Sequence, residues 1–293
     1  MKHKTTVVDV IIIIFLLLMT VSCLIPILNT LAMSFSDKTS AALGKVFFLP
    51  VNFTTASYVE IVKEGRFFTA FNVSVLRVIL GASLNIVLSI LMAYPLSKDT
   101  KIFPMRNKYM WLFVFTMMFN GGLVPTFLVI KNLGLIDTIW SLVLPGAVNV
   151  FNTILLMNFY KGIPGALEEA ARVDGAGPWR TLFQIIMPLS KPSIATIALF
   201  SIVNHWNAFF DGKIYINSPE KVPLQTYIQS LTVQVSSQAL ANMTPDEIVR
   251  KLEVSNITFN SAKAFVSMVP ILLIYPFLQK YFVTGIVMGA VKE

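Results

Sequence analysis

The run IIIIFLLL, residues 11–18, lies inside an apolar stretch from Val8 to Phe35. A bilayer has a hydrocarbon core about 30 Å thick, and a helix needs roughly 20 mostly apolar residues to cross it. Five further stretches reach that length: Thr69–Leu96, Tyr109–Ile130, Thr138–Tyr160, Pro192–Phe210 and Ala262–Phe282. The pattern predicts an all-α membrane protein with six transmembrane helices. Charge content agrees. Only 13% of the residues are charged, about half the share of a soluble domain. The longest polar stretch, Asp211–Lys263, is too short for more than an appendage. One membrane domain with loops is expected.

Several function classes fall away at this level. One cysteine, Cys23, gives no disulfide framework, and two histidines, His3 and His205, leave little for a metal site. No metal ligands and no catalytic residues are assigned. His205 with Asp211 is the one pairing on which a membrane enzyme reading would rest. A secondary transporter is expected to show an internal repeat and mid-span acids, and neither is evident. The net charge of +8 suits anionic membrane lipid, and a chain this apolar is not expected to bind nucleic acid. Met1–Cys23 also fits a lipoprotein signal pattern. However, the apolar run continues past Cys23 and Thr20 stands where such signals carry Leu, so a full-length anchor is expected.

Lys and Arg set the orientation. With the N-terminus inside, the inside segments are Met1–Val7, Ser97–Lys108, Lys161–Lys191 and the C-terminal tail. They are richer in basic residues than the outside loops, KDTKIFPMRNK being the clearest piece. The positive-inside bias then places both termini in the cytoplasm.

One inside segment, 166–192, is unlike a simple loop. Ala166–Val173 reads as a short helix with Glu168 and Glu169 in its first turn, where the helix dipole favours acids. Glu168 and Arg172 are four apart and are expected to pair. Leu167, Ala170 and Ala171 share one flat face. Asp174-Gly175 ends the helix, since glycine takes the left-handed conformation cheaply. Pro178 suits the start of a second helix, on which Trp179, Leu182, Phe183 and Ile186 form an apolar stripe at helical spacing. Pro188 and Pro192 are expected to stop it. Helices this short are marginal alone. Two homes remain open, the lipid headgroups or a groove in a soluble partner.

Polar groups inside spans are costly and often functional. The candidates for a substrate path are Asn120, Asn149, Asn152, Asn204, Trp206 and Asn207, with Asn85 in the second span and His205 in the fifth as further polar groups. Amides bond hydroxyls and aromatic faces cover sugar rings. The competing role is helix-to-helix adhesion, at about 0.6 kcal/mol per group. Arg77 lies deep in the second span and either snorkels or pairs. Pro270 and Pro276 are expected to kink the sixth span. Pro245–Val254 in the loop 212–260 reads as a further short helix.

Glu169-Ala170-Ala171, then Gly175, then Ile185 and Pro188, reproduce the spacing of the EAA motif, with Met187 where the motif has Leu. NGGLVPTFLVIKNLGLIDT, NFYKGIPGALEEAARVDGAGPWRTLFQIIMPLSKP, HWNAFFDGKIYI and the ending TGIVMGAVKE extend the likeness over nearly the whole chain. The sequence resembles the permease subunits of bacterial carbohydrate ABC importers of the MalG-like type. The resemblance implies a type I importer permease fold, with 1–68 as the N-terminal span and first extracytoplasmic loop and 69–293 as the core. It implies a second homologous permease, two copies of an ABC ATPase, an extracytoplasmic solute-binding protein, a saccharide substrate and a bacterial cytoplasmic membrane. Segment 166–192 would be the coupling helix, with Glu168, Glu169, Ala170, Ala171, Asp174, Gly175 and Trp179 at the ATPase contact. The tail from Phe282 would reach the same interface, and loop 212–260 would meet the binding protein. The chain has no phosphate-binding GxxxxGK[ST] loop, so ATP and Mg would belong to the partner ATPase. A non-sugar solute is the alternative cargo, and a secondary transporter the alternative class.

Overall fold

The computed structural model describes residues 6–63, 65–233 and 257–290. Its ordered elements are helices, with no strand among the described residues. α1 (Val7–Ser34) starts at Thr6, whose side chain and amide form a capping box with Asp9. Short helices α2 (Lys38–Ala42) and α3 (Ala56–Lys63) follow, then the long α4 (Gly65–Ser97). α5 (Arg106–Met118) and α6 (Leu123–Asn132) meet at 112°. α7 (Trp140–Val143) passes through one 3-10 turn, Leu144–Gly146, to α8 (Val150–Lys161), with a bend of 46°. Next come α9 (Gly165–Val173), α10 (Pro178–Thr181), a π-helical turn Leu182–Ile186 and α11 (Met187–Leu189). α12 (Lys191–Asn207) leaves that stretch at 83°. α13 (Phe210–Tyr215), α14 (Leu224–Val233) and α15 (Ile257–Ala290) complete the order.

Three helices, α1, α4 and α15, are each long and apolar enough to cross a membrane, and three bent pairs bring the total to six if each pair is one span. Three to six candidate spans agree with an all-α membrane protein, and the expected spans are corrected in two respects. The third and fourth spans are not continuous helices. Gly122 (φ 89°) and the extended Phe119 break the third, and Pro145-Gly146 breaks the fourth. Proline has no N–H to give, and glycine adopts positive φ at little cost. α15 starts five residues ahead of the expected span, runs unbroken through Pro270 and Pro276, and continues to Ala290. The helix expected at 245–254 lies outside the described residues.

The chain divides into two compact units, residues 1–68 with 227–270, and 69–226 with 271–293. In the first, Ala32, Ala41 and Val46 form a small core, and Phe35 stacks on Phe53 and Tyr58. Asn29 Nδ2 donates to the Phe47 carbonyl at 2.8 Å. Lys263, buried in α15, donates from Nζ to the Tyr227 hydroxyl at 2.7 Å and lies 4.0 Å over the Phe259 ring. The side chains of α1 from Val7 to Ile25 are almost all exposed among the described residues.

The second unit has the larger core. Ile90, Ala93 and Leu96 of α4 meet Leu156, Met157 and Tyr160 of α8, Leu182 and Ile186 of the π turn, and Ile197 of α12. Above that core one face of α4 is polar. Ser74, Arg77, Gly81, Asn85 and Ser89 recur every three or four residues, the spacing of one helix face. Arg77 is 2% exposed. It donates from Nη1 to Asp211 Oδ1 and to the Ala208 carbonyl, each at 3.1 Å, and from Nη2 to Asp211 Oδ2. Arg77 therefore pairs within the chain and does not snorkel. Asn85 Nδ2 donates at 2.8 Å to the carbonyls of Gly146 and Ala147, and its Oδ1 lies 3.1 Å from His205 Nε2. The imidazole sits where a side chain at position 81 would be. His205 and Asp211, the one pairing for an enzyme reading, each have another partner.

Outside the spans, Asp137 (φ 61°) fastens two loops. Its Oδ1 accepts the amides of Asn217 and Ser218 at 3.0 and 2.9 Å, and its Oδ2 accepts Lys221 Nζ at 2.9 Å. Hydrogen bonds from Ser218, then one from Lys221, hold this carboxyl below the ordinary aspartate value of 3.8. A depressed carboxylate contributes stability that is complete above its unfolded pKa and lost only as pH falls through the folded one. Amide exchange at Asn217 and Ser218 should therefore stay protected from pH 7 to below 3.8. In Asp137→Ala that protection should be lost at pH 7. Equal exchange in the two proteins would refute the anchor.

Candidate coupling segment and transport path

α9 begins one residue earlier than the spacing suggests, after Pro164 at its N-cap. Its end is a Schellman motif. The Gly175 amide donates to the Arg172 carbonyl at 3.0 Å, and the Ala176 amide to the Ala171 carbonyl at 2.8 Å. Gly175 has φ +76°, as the motif requires, and open space around the position of a Cβ. Ala171 is buried against the chain, whereas Leu167, Glu169, Ala170 and Val173 are exposed, Val173 at 88%. A small helix thus offers a shallow, partly apolar surface outward.

Glu168 does not pair with Arg172. Its carboxylate pairs with Lys98, one residue past the end of α4. The reason is geometric. Glu168 points toward the end of α4, and Lys98 already rests 4.0 Å over the Tyr94 ring, so its stem is packed before the pair forms. Burial holds the Lys98 ammonium below its ordinary value, and the Glu168 carboxylate opposes that shift. The pair ties the first turn of α9 to the end of a span. Lys98 was not among the sequence candidates. Its basic stretch was visible, its partner seventy residues later was not.

The stripe on the second short helix splits. Leu182 and Ile186 are buried, while Trp179 and Phe183 stack on each other outward at 6.0 Å. A uniform α-helical stripe was expected, but Leu182–Ile186 is π-helical. A proline ring at 188 would crowd the Gln184 carbonyl in an α-helix, and the wider π turn relieves that crowding. The helical stretch ends at Leu189, between the two prolines as expected, and the next helix departs at 83°. Pro188 lies inside α11 and Pro192 in the first turn of α12, with the bend at Ser190 between them. Against these elements, Leu91, Tyr94, Lys98, Phe103, Arg172 and Trp179 are among the residues lining a cavity of about 590 Å³.

The polar candidates separate into two groups. Asn152 is buried and donates from Nδ2 to Ser201 Oγ at 3.1 Å, Asn149 caps α8, and Trp206 packs edge-on against Phe71. Asn152 and Trp206 each join two helices, and Asn149 caps its own. Asn120, Asn204 and Asn207 are exposed. Asn120 stands in the break between α5 and α6, its Oδ1 accepting the Gly122 amide at 2.9 Å, beside exposed Phe119. Asn204 and Asn207 lie in the last turn of α12, just before exposed Phe209. Among the described residues no group of His, Cys, Asp and Glu is placed to hold a metal ion.

Residues 76–288 match the family described as binding-protein-dependent transport system inner membrane component. The chain is similar to the polygalacturonan/rhamnogalacturonan transport system permease protein YtcP of Bacillus subtilis strain 168. The two are 38% identical over 99% of each. It is also similar to protein LplC of the same strain, at 37% identity over 92% of this chain and 89% of LplC. Among solved structures, a chain of a bacterial ABC transporter involved in the import of the acidic polysaccharide alginate superposes with a TM-score of 0.83. It is 30% identical, over 96% of this chain and all of that one. With its helical spans and its permease-like fold, the chain belongs to the binding-protein-dependent transport system inner membrane component family.

Proposed function

We propose that this chain is one of two homologous permease subunits of an ATP-driven importer of oligosaccharides or complex sugars. Residues 69–293 form its core, and 1–68 add the N-terminal span and first extracytoplasmic loop. An extracytoplasmic binding protein delivers the sugar. Two copies of a separate ATPase, carrying ATP and Mg, drive the cycle. Both termini face the cytoplasm.

One observation carries this reading. α9 is a short, capped helix, exposed on one face and tied through Glu168 to the end of α4. A force applied to its outer face passes through Lys98 into a span. Glu169, Ala170, Ala171, Asp174, Gly175 and Trp179 belong to that coupling element, Ala171 supporting it from behind. Saccharide specificity rests on the named relatives. Asn120, Asn204 and Asn207 with Phe119 and Phe209 are our assignment for the path, Asn152 and Trp206 joining helices behind it and Asn149 capping one. The broken backbone at Phe119–Gly122 supports it. Irregular backbone at membrane depth is tolerated only where protein covers it or where it lines water.

The test is reconstitution with the cognate permease, the ATPase and a sugar-loaded binding protein. Loaded binding protein should stimulate ATP hydrolysis. Gly175→Arg should keep the complex assembled yet lose stimulation by about tenfold or more, equivalent to ~1.4 kcal/mol of coupling. Full stimulation in an assembled Gly175→Arg complex would end the coupling reading.

A further inference from the structure

The cavity beside the coupling segment has a composition that the coupling reading does not require. Its walls are apolar: Leu91, Ile102, Phe103, Trp179 and Leu182. Its volume, about 590 Å³, is that of a small-molecule site. The charged groups on its lining are Lys98, Arg172 and Glu168. Glu168 is already paired with Lys98. Arg172 makes no ion pair among the described residues and is exposed. The site therefore carries one uncompensated positive charge beside an apolar pocket. Arg172 also lies near enough to Lys98 to disfavour its ammonium. An anion between them relieves that repulsion.

Depth narrows the ligand further. The cavity is lined by the last two turns of α4, a helix of 33 residues. At 1.5 Å per residue α4 is about 50 Å long, longer than the ~30 Å hydrocarbon core. Its end, next to Lys98, Lys101, Arg106 and Lys108, stands at headgroup level, where Trp179 also fits the aromatic belt. A polar metabolite would leave the apolar walls unfilled, and a neutral lipid would leave Arg172 unanswered. We propose that this cavity holds one anionic phospholipid. Its phosphate sits at Arg172 and Lys98, and an acyl chain lies between Leu91, Ile102, Phe103 and Leu182. The choice of the cytoplasmic leaflet rests on the orientation given above. Such a lipid sits behind α9 and links bilayer charge to the coupling element.

The experiment uses the complete transporter in nanodiscs of phosphatidylcholine containing brominated-chain lipid. Bromine quenches nearby indoles, and the difference between wild type and Trp179→Phe isolates the Trp179 signal. Brominated phosphatidylglycerol should quench Trp179 at about one-fifth the mole fraction that brominated phosphatidylcholine needs, the factor for roughly 1 kcal/mol per basic residue. Its quenching should saturate. Arg172→Gln should remove the preference and Arg172→Lys should restore it, with copurification of the ATPase confirming assembly. Equal, unsaturable quenching by both lipids would reduce the cavity to ordinary lipid contact. No quenching by either would mean that lipid does not enter, and would overturn the proposal. Neither readout needs transport or ATP hydrolysis. Lost quenching with intact stimulation counts against the lipid site alone, and the reverse counts against the coupling reading alone.

Discussion

Arg77→Met should cost about 3 kcal/mol of stability, read as a shift in the unfolding transition of the purified protein in detergent. Removing one partner of a buried ion pair typically costs 3–5 kcal/mol, because the other charge is left uncompensated. The Asp211 side chain keeps 27% exposure, which puts the cost at the lower end. The loss is not only Coulombic. Arg77 Nη1 also satisfies the Ala208 carbonyl at the open end of α12. No helical amide follows there to take over, since Ala208 is extended. Arg77→Lys should fall between, keeping the charge but losing the planar fork that reaches carboxylate and carbonyl together. Arg77→Met with Asp211→Leu should recover most of the loss, because apolar replacement of both partners is often close to neutral. A single-mutant cost below about 1 kcal/mol, the level of an exposed pair, would show that the pair does not hold α4 to the start of α13.

Gly81→Ala is the second large effect, and its sign runs against helix propensity. In a helix interior, alanine normally stabilises over glycine by about 0.8–1.0 kcal/mol. Here a Cβ would lie 2.5 Å from Cε1 and Nε2 of His205 and 2.7 Å from Nδ1. The ring has nowhere cheap to go. It is buried and shares a hydrogen bond with Asn85, which is itself fixed by two carbonyls of the 3-10 turn and its exit. Overpacking costs about 1–3 kcal/mol, and a displaced imidazole leaves the Asn85 oxygen unpaired for about 1–3 more. The net expectation is a destabilisation of about 3 kcal/mol. His205→Ala combined with Gly81→Ala should be less damaging than the sum of the two, a coupling that a double-mutant cycle reads directly. Strict additivity would mean that residue 81 and the ring do not compete for the same space.

The spans were legible because apolar length is a one-dimensional property. The short helix and its glycine cap were legible for the same reason: caps and dipoles act within a few residues. What stayed hidden involves distant partners or one missing atom. Glu168 had a plausible partner four residues on in Arg172, and its observed partner, Lys98, is brought up by α4. Asn85 and His205 were each visible as polar residues in oil, but the link between them depends on Gly81 leaving room. Asn152 and Asn120 looked alike in sequence. One is buried on a helix against Ser201 and the other stands in a break, a distinction made by where the backbone leaves the helix. The π turn was hidden because Trp179, Leu182, Phe183 and Ile186 satisfy the α period on paper. The cause of its failure, Pro188, was visible but was expected to end the helix.

That π turn has a consequence for chain length. A π turn holds one residue more than an α turn would, so segment 182–186 carries a stored insertion. Deleting any one of those residues would let the stretch close as α-helix. The flanking turns would keep nearly the same relative rotation, because the π turn absorbs its extra residue in its own width, but the Pro188 ring would again crowd the carbonyl four residues before it. A gap of a single codon in this segment is therefore opposed by the proline that follows it, whichever of the five residues is lost.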